Sequence, residues 1–247
     1  MKSYRFIIPL ALAALFLPSC RVKTPEAVEQ REKWLESLND SIDKYQGEKE
    51  RVEAALAEAH EKVAAMVGSF DYVSNPREVE GYYIFNGWKG RYPMQSTALV
   101  ARVTQDIRFE LIATLTGAHF NEIGVSADGA TVASEVVPHD QAFNYRAGNL
   151  NTVCFYGEKA DSIGAFISSH SMADISVAYM EGKRTGSLRL PSDEKQMIAR
   201  TWELYAAQRE MTRLEKELPR LSGRIAACRR MIDSNNKSDN PSDAGNQ

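Results

Sequence analysis

Two short stretches of the sequence carry side chains of the kind used in acyl transfer. His139 precedes Asp140, and His170 lies within the run Ser168-Ser169-His170-Ser171. Neither stretch contains the Gly-x-Ser-x-Gly turn that presents a nucleophilic serine, and adjacency in sequence does not place a base against a hydroxyl. Turn formation is therefore the better interpretation of both. If these groups met in a cleft, they would instead indicate a hydrolase of cell-wall or glycan polymers.

Metal and cofactor chemistry have no clear signature in the sequence. The four histidines, His60, His119, His139 and His170, are scattered, and no His-x-x-x-His or Cys-x-x-Cys spacing brings two ligands together. The segment Gly87-Trp88-Lys89-Gly90 matches neither glycine-rich fingerprint that holds a nucleotide phosphate. We therefore expect no catalytic residue, no metal and no cofactor.

An aromatic segment from Gly81 to Pro93 is the first candidate for a ligand surface. Aromatic side chains at alternating strand positions can form a platform for a sugar ring or a docked peptide. The alternative is that one face of this segment belongs to the core, with tyrosines at its rim. The candidate ligand residues are Tyr82, Tyr83, Trp88 and Tyr92.

A polar, turn-rich stretch from Val137 to Asn151 is a second candidate. Loops of this composition often carry recognition, although a surface connection between elements explains the composition equally well. Its polar and aromatic residues are Asp140, Asn144, Tyr145, Arg146 and Asn149.

Two charge-rich segments with apolar heptads predict coiled-coil helices that would position these candidates. The first helix covers residues 25–67, after a hydroxyl cap, a proline and an acid at Thr24-Pro25-Glu26. The second covers residues 192–233, with a kink or break expected at Pro219 and Gly223. The predicted seams are Leu35, Leu38, Ile42, Tyr45, Val52, Leu56, Ala59, Val63 and Met66, and then Met197, Leu204, Ala207, Met211, Leu214, Leu218, Leu221, Ile225, Cys228 and Ile232.

Residues 68–191 lose the heptads and show alternating apolar patterns with turn signals. We expect strands at 97–104, 107–115 and 152–156, and a short helix near 161–170. Hairpins are expected at three dipeptides, namely Asn86-Gly87, Asp128-Gly129 and Glu181-Gly182.

Together these segments predict an α+β fold. An antiparallel β-rich, sandwich-like domain with one short helix would be inserted at the tip of a long two-helix antiparallel coiled-coil hairpin, with Leu35 near Ile225. Forty helical residues span roughly 60 Å. The alternative is that the seams face other chains and form a homo-oligomer. Residues 234–247 are almost entirely polar and are predicted to be disordered.

The cysteines Cys154 and Cys228 pose a separate question of redox state. In a straight hairpin they would lie roughly 50 Å apart, whereas a disulfide needs Cα atoms within about 7 Å. We expect two small buried residues, with a Cys228 bridge between chains as the alternative.

The N-terminus predicts export. Lys2 and Arg5 precede an apolar run from Phe6 to Leu17, which is too short to span a bilayer and is typical of a signal peptide, here residues 1–19. Leu17, Ser19 and Cys20 resemble the lipobox of bacterial lipoproteins. That resemblance implies cleavage before Cys20, a diacylglycerol thioether on its sulfur, usually a further acyl chain such as palmitate, and a short lipidated linker at residues 20–24.

The same resemblance implies a location in the cell envelope. The residues after Cys20 carry neither an aspartate retention signal nor an acidic surface-export cluster, which favours the periplasmic face of the outer membrane. Loss of Lys2 and Arg5 changes the formal net charge from −3 to −5, and such a mildly acidic chain has no electrostatic reason to bind nucleic acid.

The order of helices and strands within the β domain also resembles that of a known class of domain. Three strands, a short helix opening at Ala160-Asp161, a hairpin and a final helix are similar to periplasmic β-sandwich domains of type VI secretion-associated and invasion-associated kinds. The expectation for function is a membrane-anchored, non-catalytic binding or scaffolding module with a protein or glycan partner, and the envelope hydrolase is the alternative.

Overall fold

The computed structural model of this chain describes residues 24–74 and 80–237. The expected signal peptide, Cys20 and residues 238–247 of the predicted tail lie outside these ranges. The described residues form three helices, namely α1 (Pro25–Val67), α2 (Glu158–Ser169) and α3 (Ser192–Lys237). They also form ten strands: β1 (Phe70–Val73), β2 (Tyr82–Phe85), β3 (Ala98–Thr104), β4 (Phe109–Thr116), β5 (Glu122–Ala127), β6 (Ala130–Ala133), β7 (Asn144–Ala147), β8 (Leu150–Tyr156), β9 (Ser176–Glu181) and β10 (Lys183–Arg189).

The chain divides into two compact units, and the smaller one is a helix pair. This terminal unit contains α1 as far as Tyr45 and α3 from Arg224 onward. The Arg224 guanidinium lies 5.4 Å from the centre of the Tyr45 ring, and Arg31 Nη2 donates to the Asn235 carbonyl at 3.5 Å. As the residue number rises along α1 it falls along α3, so the two helices run antiparallel.

The observed register of the terminal unit corrects one expectation. The Tyr45–Arg224 contact implies that Leu35 lies opposite the region near residue 234, whereas the sequence analysis placed it near Ile225. The difference is about nine residues, or roughly 13 Å along a helix. Heptad periodicity determines which face of a helix is buried, but every heptad looks alike, so the axial register depends on individual contacts between the helices.

The larger, central unit contains residues 46–223. Its helical part pairs the second half of α1 with α3, and His60 Nε2 lies 3.5 Å from a Glu215 carboxylate oxygen. Every predicted seam position in both helices is buried or half-buried in its own unit. No helix within the described ranges is long and apolar enough to cross a membrane.

Of the expected kink or break in α3, the break is wrong, because the helix is continuous through Pro219. Proline removes one backbone donor and leaves the carbonyl four residues earlier without its partner. Pro219 and Gly223 are exposed, whereas Leu218 and Leu221 carry the seam. Water can therefore bind the released Glu215 carbonyl, and apolar burial on the other face holds the helix together. The helix also continues to Lys237, so residues 234–237 are helical instead of part of a disordered tail.

The rest of the central unit is built on two antiparallel sheets, which confirms the predicted α+β class. The six-stranded sheet has the order β1-β2-β3-β4-β8-β7, and the four-stranded sheet has the order β10-β9-β5-β6. Because alternate side chains of a strand point to opposite faces, each long strand contributes to two environments. Leu99, Leu111 and Phe155 point inward to the main core with Ile123 and Val177 of the smaller sheet.

Two of the three predicted hairpins are confirmed. Asp128 and Gly129, with φ of 49° and 80°, join β5 to β6, as expected for a two-residue turn that needs positive φ. Gly182, with φ of 68°, joins β9 to β10. Two strands were missed: β1 was not predicted, and the residues of β7 were assigned to a polar connection.

The Asn86-Gly87 hairpin is wrong. Strand β2 pairs with β1 over its four residues and with β3 at Tyr82 and Tyr83, and the residues directly after Gly87 form no strand. Those residues instead form a loop over the outer face of the larger sheet. Asn86 donates its backbone N–H to the Ser69 carbonyl and thereby extends the β1–β2 pair. The turn itself forms, with the Trp88 N–H donating to the Phe85 carbonyl at 3.3 Å, but it does not join two paired strands.

The two remaining helical segments of the central unit pack on the sandwich. Ile163 and Ile167 of α2 and Ile198 of α3 lie in the main core. The Trp202 ring of α3 meets Phe109 of β4 edge-on, with centroids 5.4 Å apart. A Cβ at Gly164 would lie 2.7 Å from the Phe109 ring, so this glycine permits the close approach of α2.

Candidate binding surface

The structure separates the four aromatic residues of the first candidate surface. Tyr82 is buried on the outer face of the larger sheet, where the Arg102 guanidinium lies 4.3 Å from its ring centre. The Tyr92 ring meets it edge-on at 5.6 Å, and the Tyr92 hydroxyl accepts a hydrogen bond from Arg102 at 3.0 Å. These two tyrosines form part of one packed group.

Tyr83 lies on the opposite side of β2 from Tyr82. Its ring packs against that of Tyr72 with centroids 5.2 Å apart, and the Tyr72 hydroxyl donates to Gln105 at 3.0 Å. Trp88 is half-buried in a second, smaller core on the outer face, beside Met94 and Val100. The loop that carries Trp88 therefore covers the sheet, and the four residues do not form one platform.

A charged network continues the outer face beyond Tyr82. Glu110 is buried, and its two carboxylate oxygens accept hydrogen bonds from Arg102 at 2.7 Å and from Arg108 at 2.9 Å. Arg108 also reaches Glu80 at 3.2 Å. These charge-assisted hydrogen bonds hold β3 against β4.

Cys154 lies on the same face and is an unreactive thiol. Its side chain is buried, and burial, together with the Glu110 carboxylate beside it, raises the pKa of Cys154 to about 12. Cys228, half-buried in the terminal unit, is also free of a disulfide. Since the thiolate is the reactive form, Cys154 acts as a small core residue.

The second candidate stretch begins inside a segment that crosses between the sheets. Residues 134–143 connect β6, at one edge of the smaller sheet, to β7, at one edge of the larger sheet. Asn144 fastens this connecting segment: its side-chain amide donates to the Val137 carbonyl at 2.8 Å, and its side-chain oxygen accepts from Asn151 at 3.1 Å. Both asparagines are buried and stabilise the fold, although they belong to the polar stretch that was a candidate for recognition.

Asp140 shapes the turn at the end of the connecting segment. Its carboxylate accepts backbone hydrogen bonds from Phe143, Ala142 and Asn144. The first of these is the main reason that the pKa of Asp140 lies below its usual range. The carboxylate therefore stays ionised in any neutral environment, at the mouth of a cleft.

That cleft, which we name the Tyr156 cleft, has a volume of about 230 Å³. It lies between the connecting segment, the end of β8 and the start of α2. Polar and apolar surface contribute in similar shares to its lining: the rings of Phe143 and Tyr156 pack against each other with centroids 5.2 Å apart, and Val136 and Tyr156 are 57% and 46% exposed. The lining residues are Glu135, Val136, Val137, Pro138, Asp140, Phe143, Phe155, Tyr156 and Ala160.

A polar cavity of about 290 Å³ lies on the other side of the same segment. His119 and His139 line it, together with Asn144, Asn151 and Glu181. Arg146 Nη1 lies 2.7 Å from His119 Nε2, so the imidazole accepts from the guanidinium through that nitrogen. Within the described ranges, no three His, Cys, Asp or Glu side chains are grouped so as to hold a metal ion.

The groups that would have indicated a hydrolase lie apart. His139 lines the polar cavity, whereas Asp140 lines the Tyr156 cleft. His170 stacks on Phe166 with ring centroids 4.2 Å apart, and its Nδ1 hydrogen-bonds to the Phe166 carbonyl at 2.9 Å. Ser169 Oγ, 3.0 Å from the same nitrogen, also bonds to the Phe166 carbonyl, which is a helix-end arrangement.

The sequence analysis named the stretch that borders the cleft but did not identify the aromatic and aliphatic residues of its lining. Phe143 falls within that stretch and was passed over, because attention went to the polar residues. Tyr156 was assigned to a strand and Val136 to the end of another, and nothing in their local sequence shows that they become neighbours. An aromatic residue at a strand end beside a glycine, as at Tyr156-Gly157, is the one weak signal available.

No protein-family model, no curated protein and no solved structure matches this chain. Its candidate site therefore depends on the geometry above.

Proposed function

We propose that this protein is a membrane-anchored envelope lipoprotein whose β-sandwich is a non-catalytic binding module, and that it holds a protein partner at the Tyr156 cleft. The observation that carries the binding role is the cleft itself. Val136 and Tyr156 expose side-chain surface around a concave site, and ligands and partner side chains bind preferentially in concave sites that combine aromatic and polar groups.

The size of the cleft favours a protein partner over a glycan. Its aromatic and aliphatic lining comes from Val136, Pro138, Phe143, Phe155 and Tyr156. A pocket this small suits a single side chain of a peptide. The volume of about 230 Å³ is below the range of roughly 300–1,000 Å³ of sites for whole small molecules.

The anchoring role is supported by the N-terminal sequence. The order of Lys2, Arg5, the apolar run and Leu-x-Ser-Cys20 resembles a lipoprotein signal, and α1 begins at Pro25, shortly after Cys20. A diacylglycerol group on Cys20 together with a further acyl chain would hold the chain firmly, because stable anchoring needs two signals. We place the protein at the periplasmic face of the outer membrane.

Metabolic labelling tests the anchor. In a Gram-negative host fed a radiolabelled fatty acid, the wild type is expected to take up label and to fractionate with the outer membrane. The Cys20→Ala variant should take up none. Release of the unlabelled wild type as a soluble protein would overturn this part of the proposal.

Site-specific photo-cross-linking in intact cells tests the binding role. A photoreactive amino acid at Val136 should give a discrete protein adduct. The matched position is Met172, which is 96% exposed and does not line the cleft. Equal adducts at both positions, or none at Val136, would contradict a specific site. Repeating the experiment with Tyr156→Ala should remove the Val136 adduct.

A further inference from the structure

The ionisable groups that line the Tyr156 cleft are both acidic. Glu135 and Asp140 contribute carboxylates, and none of the cleft's lining residues is basic. Both side chains are exposed. The backbone hydrogen bonds that lower the pKa of Asp140 keep its charge in place across the physiological range. An occupant therefore meets a lining that includes two aromatic rings, and two carboxylates at its rim.

A neighbouring cation is already held by carboxylates. The Arg108 guanidinium lies 5.7 Å from the centre of the Tyr156 ring. It is held by Glu110 at 2.9 Å and by Glu80 at 3.2 Å, while Glu110 is shared with Arg102. Glu135 and Asp140 are the two charged side chains of the cleft lining itself.

The volume of the cleft limits what enters it. About 230 Å³ beside the packed rings of Phe143 and Tyr156 accommodates one large side chain, and not an extended stretch of peptide. Aromatic walls favour an aromatic or a large aliphatic group, which gains offset or edge-on contacts with both rings. Residues next to that group in the partner would lie at the rim, within reach of the two carboxylates.

The geometry points to a peptide segment in which an aromatic or large aliphatic residue is followed or preceded by Lys or Arg. The apolar side chain occupies the cleft, and the basic side chain pairs with Glu135 and Asp140 at its rim. This inference rests on the proposed binding function and adds the chemistry of the partner. Charge at the rim contributes specificity and speed of association more than affinity.

A peptide-display selection against the purified full chain in detergent micelles tests the pairing. The library carries random hexapeptides, and the expected result is enrichment of an aromatic or large aliphatic residue adjacent to Lys or Arg. A selected peptide is then titrated against variants by calorimetry. Tyr156→Ala should weaken binding about tenfold or more, whereas Tyr72→Ala, which alters a similarly exposed tyrosine on β1, should leave it unchanged.

A matched pair of variants tests whether the acidic rim is required for binding. Glu135→Gln should weaken binding of the basic peptide about threefold, and the difference should shrink in high salt. Glu181→Gln, which removes an exposed carboxylate from the polar cavity, should have no effect. Asp140 is left intact in this comparison, because its carboxylate also holds the turn at Ala142 and Phe143.

Three outcomes would overturn the inference: enrichment of acidic or wholly polar peptides, binding that survives Tyr156→Ala, or no enrichment at all. These results are separable from failure of the binding function. If the Val136 photo-adduct persists and depends on Tyr156 while no such peptide is selected, the binding module stands and the chemistry of its occupant is wrong. If the adduct is absent, the proposed function itself fails.

Discussion

The carboxylate of Glu194, in the first turn of α3, accepts a hydrogen bond from the backbone N–H of Leu99 at 3.1 Å. Both residues are buried. In the described register, β2 reaches β3 at Val103 and Thr104, so the earlier part of β3 has an edge that α3 covers. The carboxylate satisfies a backbone donor that a neighbouring strand would otherwise bind, because buried N–H groups need partners.

The burial of Glu194 predicts a pH dependence of stability. Burial raises the pKa of Glu194 to about 7, against a usual value of 4.5. A carboxyl group that binds its proton more tightly in the folded chain stabilises the fold fully below the unfolded pKa, and this contribution disappears as the pH rises through the folded pKa. We therefore expect the free energy of unfolding to fall by on the order of 1–2 kcal/mol between pH 5 and pH 8 from this group.

Urea unfolding of Glu194→Gln at the two pH values measures this effect. The amide oxygen still accepts from Leu99 and carries no charge, so the variant should lose this part of the pH dependence. The control variant Glu203→Gln, on the same helix, should keep the wild-type slope. Identical slopes for wild type and Glu194→Gln would show that Glu194 does not titrate in this range.

The register of the terminal unit predicts which cysteine pairs form disulfides. In a background with Cys154→Ala and Cys228→Ala, the pair Tyr45→Cys with Arg224→Cys should cross-link within one chain under mild oxidation. The pair Leu35→Cys with Ile225→Cys should not, because those positions are roughly 13 Å out of register along the helices. Non-reducing gels and mass spectrometry read the outcome. Cross-links found only between chains would favour a homo-oligomer.

The unbroken course of α3 predicts that two substitutions stabilise the protein. Pro219→Ala restores a backbone hydrogen bond on an exposed helix face and should raise the free energy of unfolding by about 1–3 kcal/mol. Gly223→Ala should add roughly 0.5–1 kcal/mol, since a Cβ there meets no atom within 4 Å. Thermal unfolding followed by circular dichroism tests both, and a lower melting temperature for either variant would contradict the prediction.

The two cysteines of the described ranges should differ in reactivity. With a pKa of about 12 and a buried side chain, Cys154 should resist iodoacetamide at pH 8 in the folded protein. Cys228 is half-buried and should be alkylated first. Peptide mapping after timed labelling separates the two sites. Labelling in urea, where both thiols should react, is the control for access.

Asn144 should matter more to stability than its polar neighbours. Replacing it with alanine leaves the Val137 carbonyl and the Asn151 amide without a buried partner, and should cost about 2–4 kcal/mol. Asn149→Ala removes an exposed contact to Arg146 and should change stability by less than about 0.5 kcal/mol. Chemical denaturation of the two variants compares them directly, and equal effects would exclude the fastening role assigned to Asn144.

The long helices and several strands could be predicted from the sequence because their signals are local. The apolar heptads identify the buried face of α1 and of α3, whichever residues of the partner helix lie opposite. Asp128-Gly129 and Glu181-Gly182 predict hairpins because positive φ at these positions directly sets the turn. Each of these features depends on residues within a few positions of one another along the chain.

Contacts between distant segments decided the rest. The Asn86-Gly87 hairpin prediction failed because β2 pairs with β1 and, at Tyr82 and Tyr83, with β3, and no local pattern reveals which strands pair. Tyr82 packs with Arg102 and Tyr83 packs with Tyr72 because their side chains lie on opposite sides of the sheet. Local propensity is weak compared with the burial and pairing that a whole sheet supplies.

The sequence by itself determined the candidate export signal, the heptad seams and the α+β class, since these depend on the order and periodicity of neighbouring residues. Only the tertiary structure decided where a partner could bind. The Tyr156 cleft combines Val136, Phe143 and Tyr156 from the connecting segment and β8 with Ala160 from α2. Its shape exists because residues 134–143 cross from one sheet to the other, and side chains on separate segments become neighbours through the packing of the whole domain.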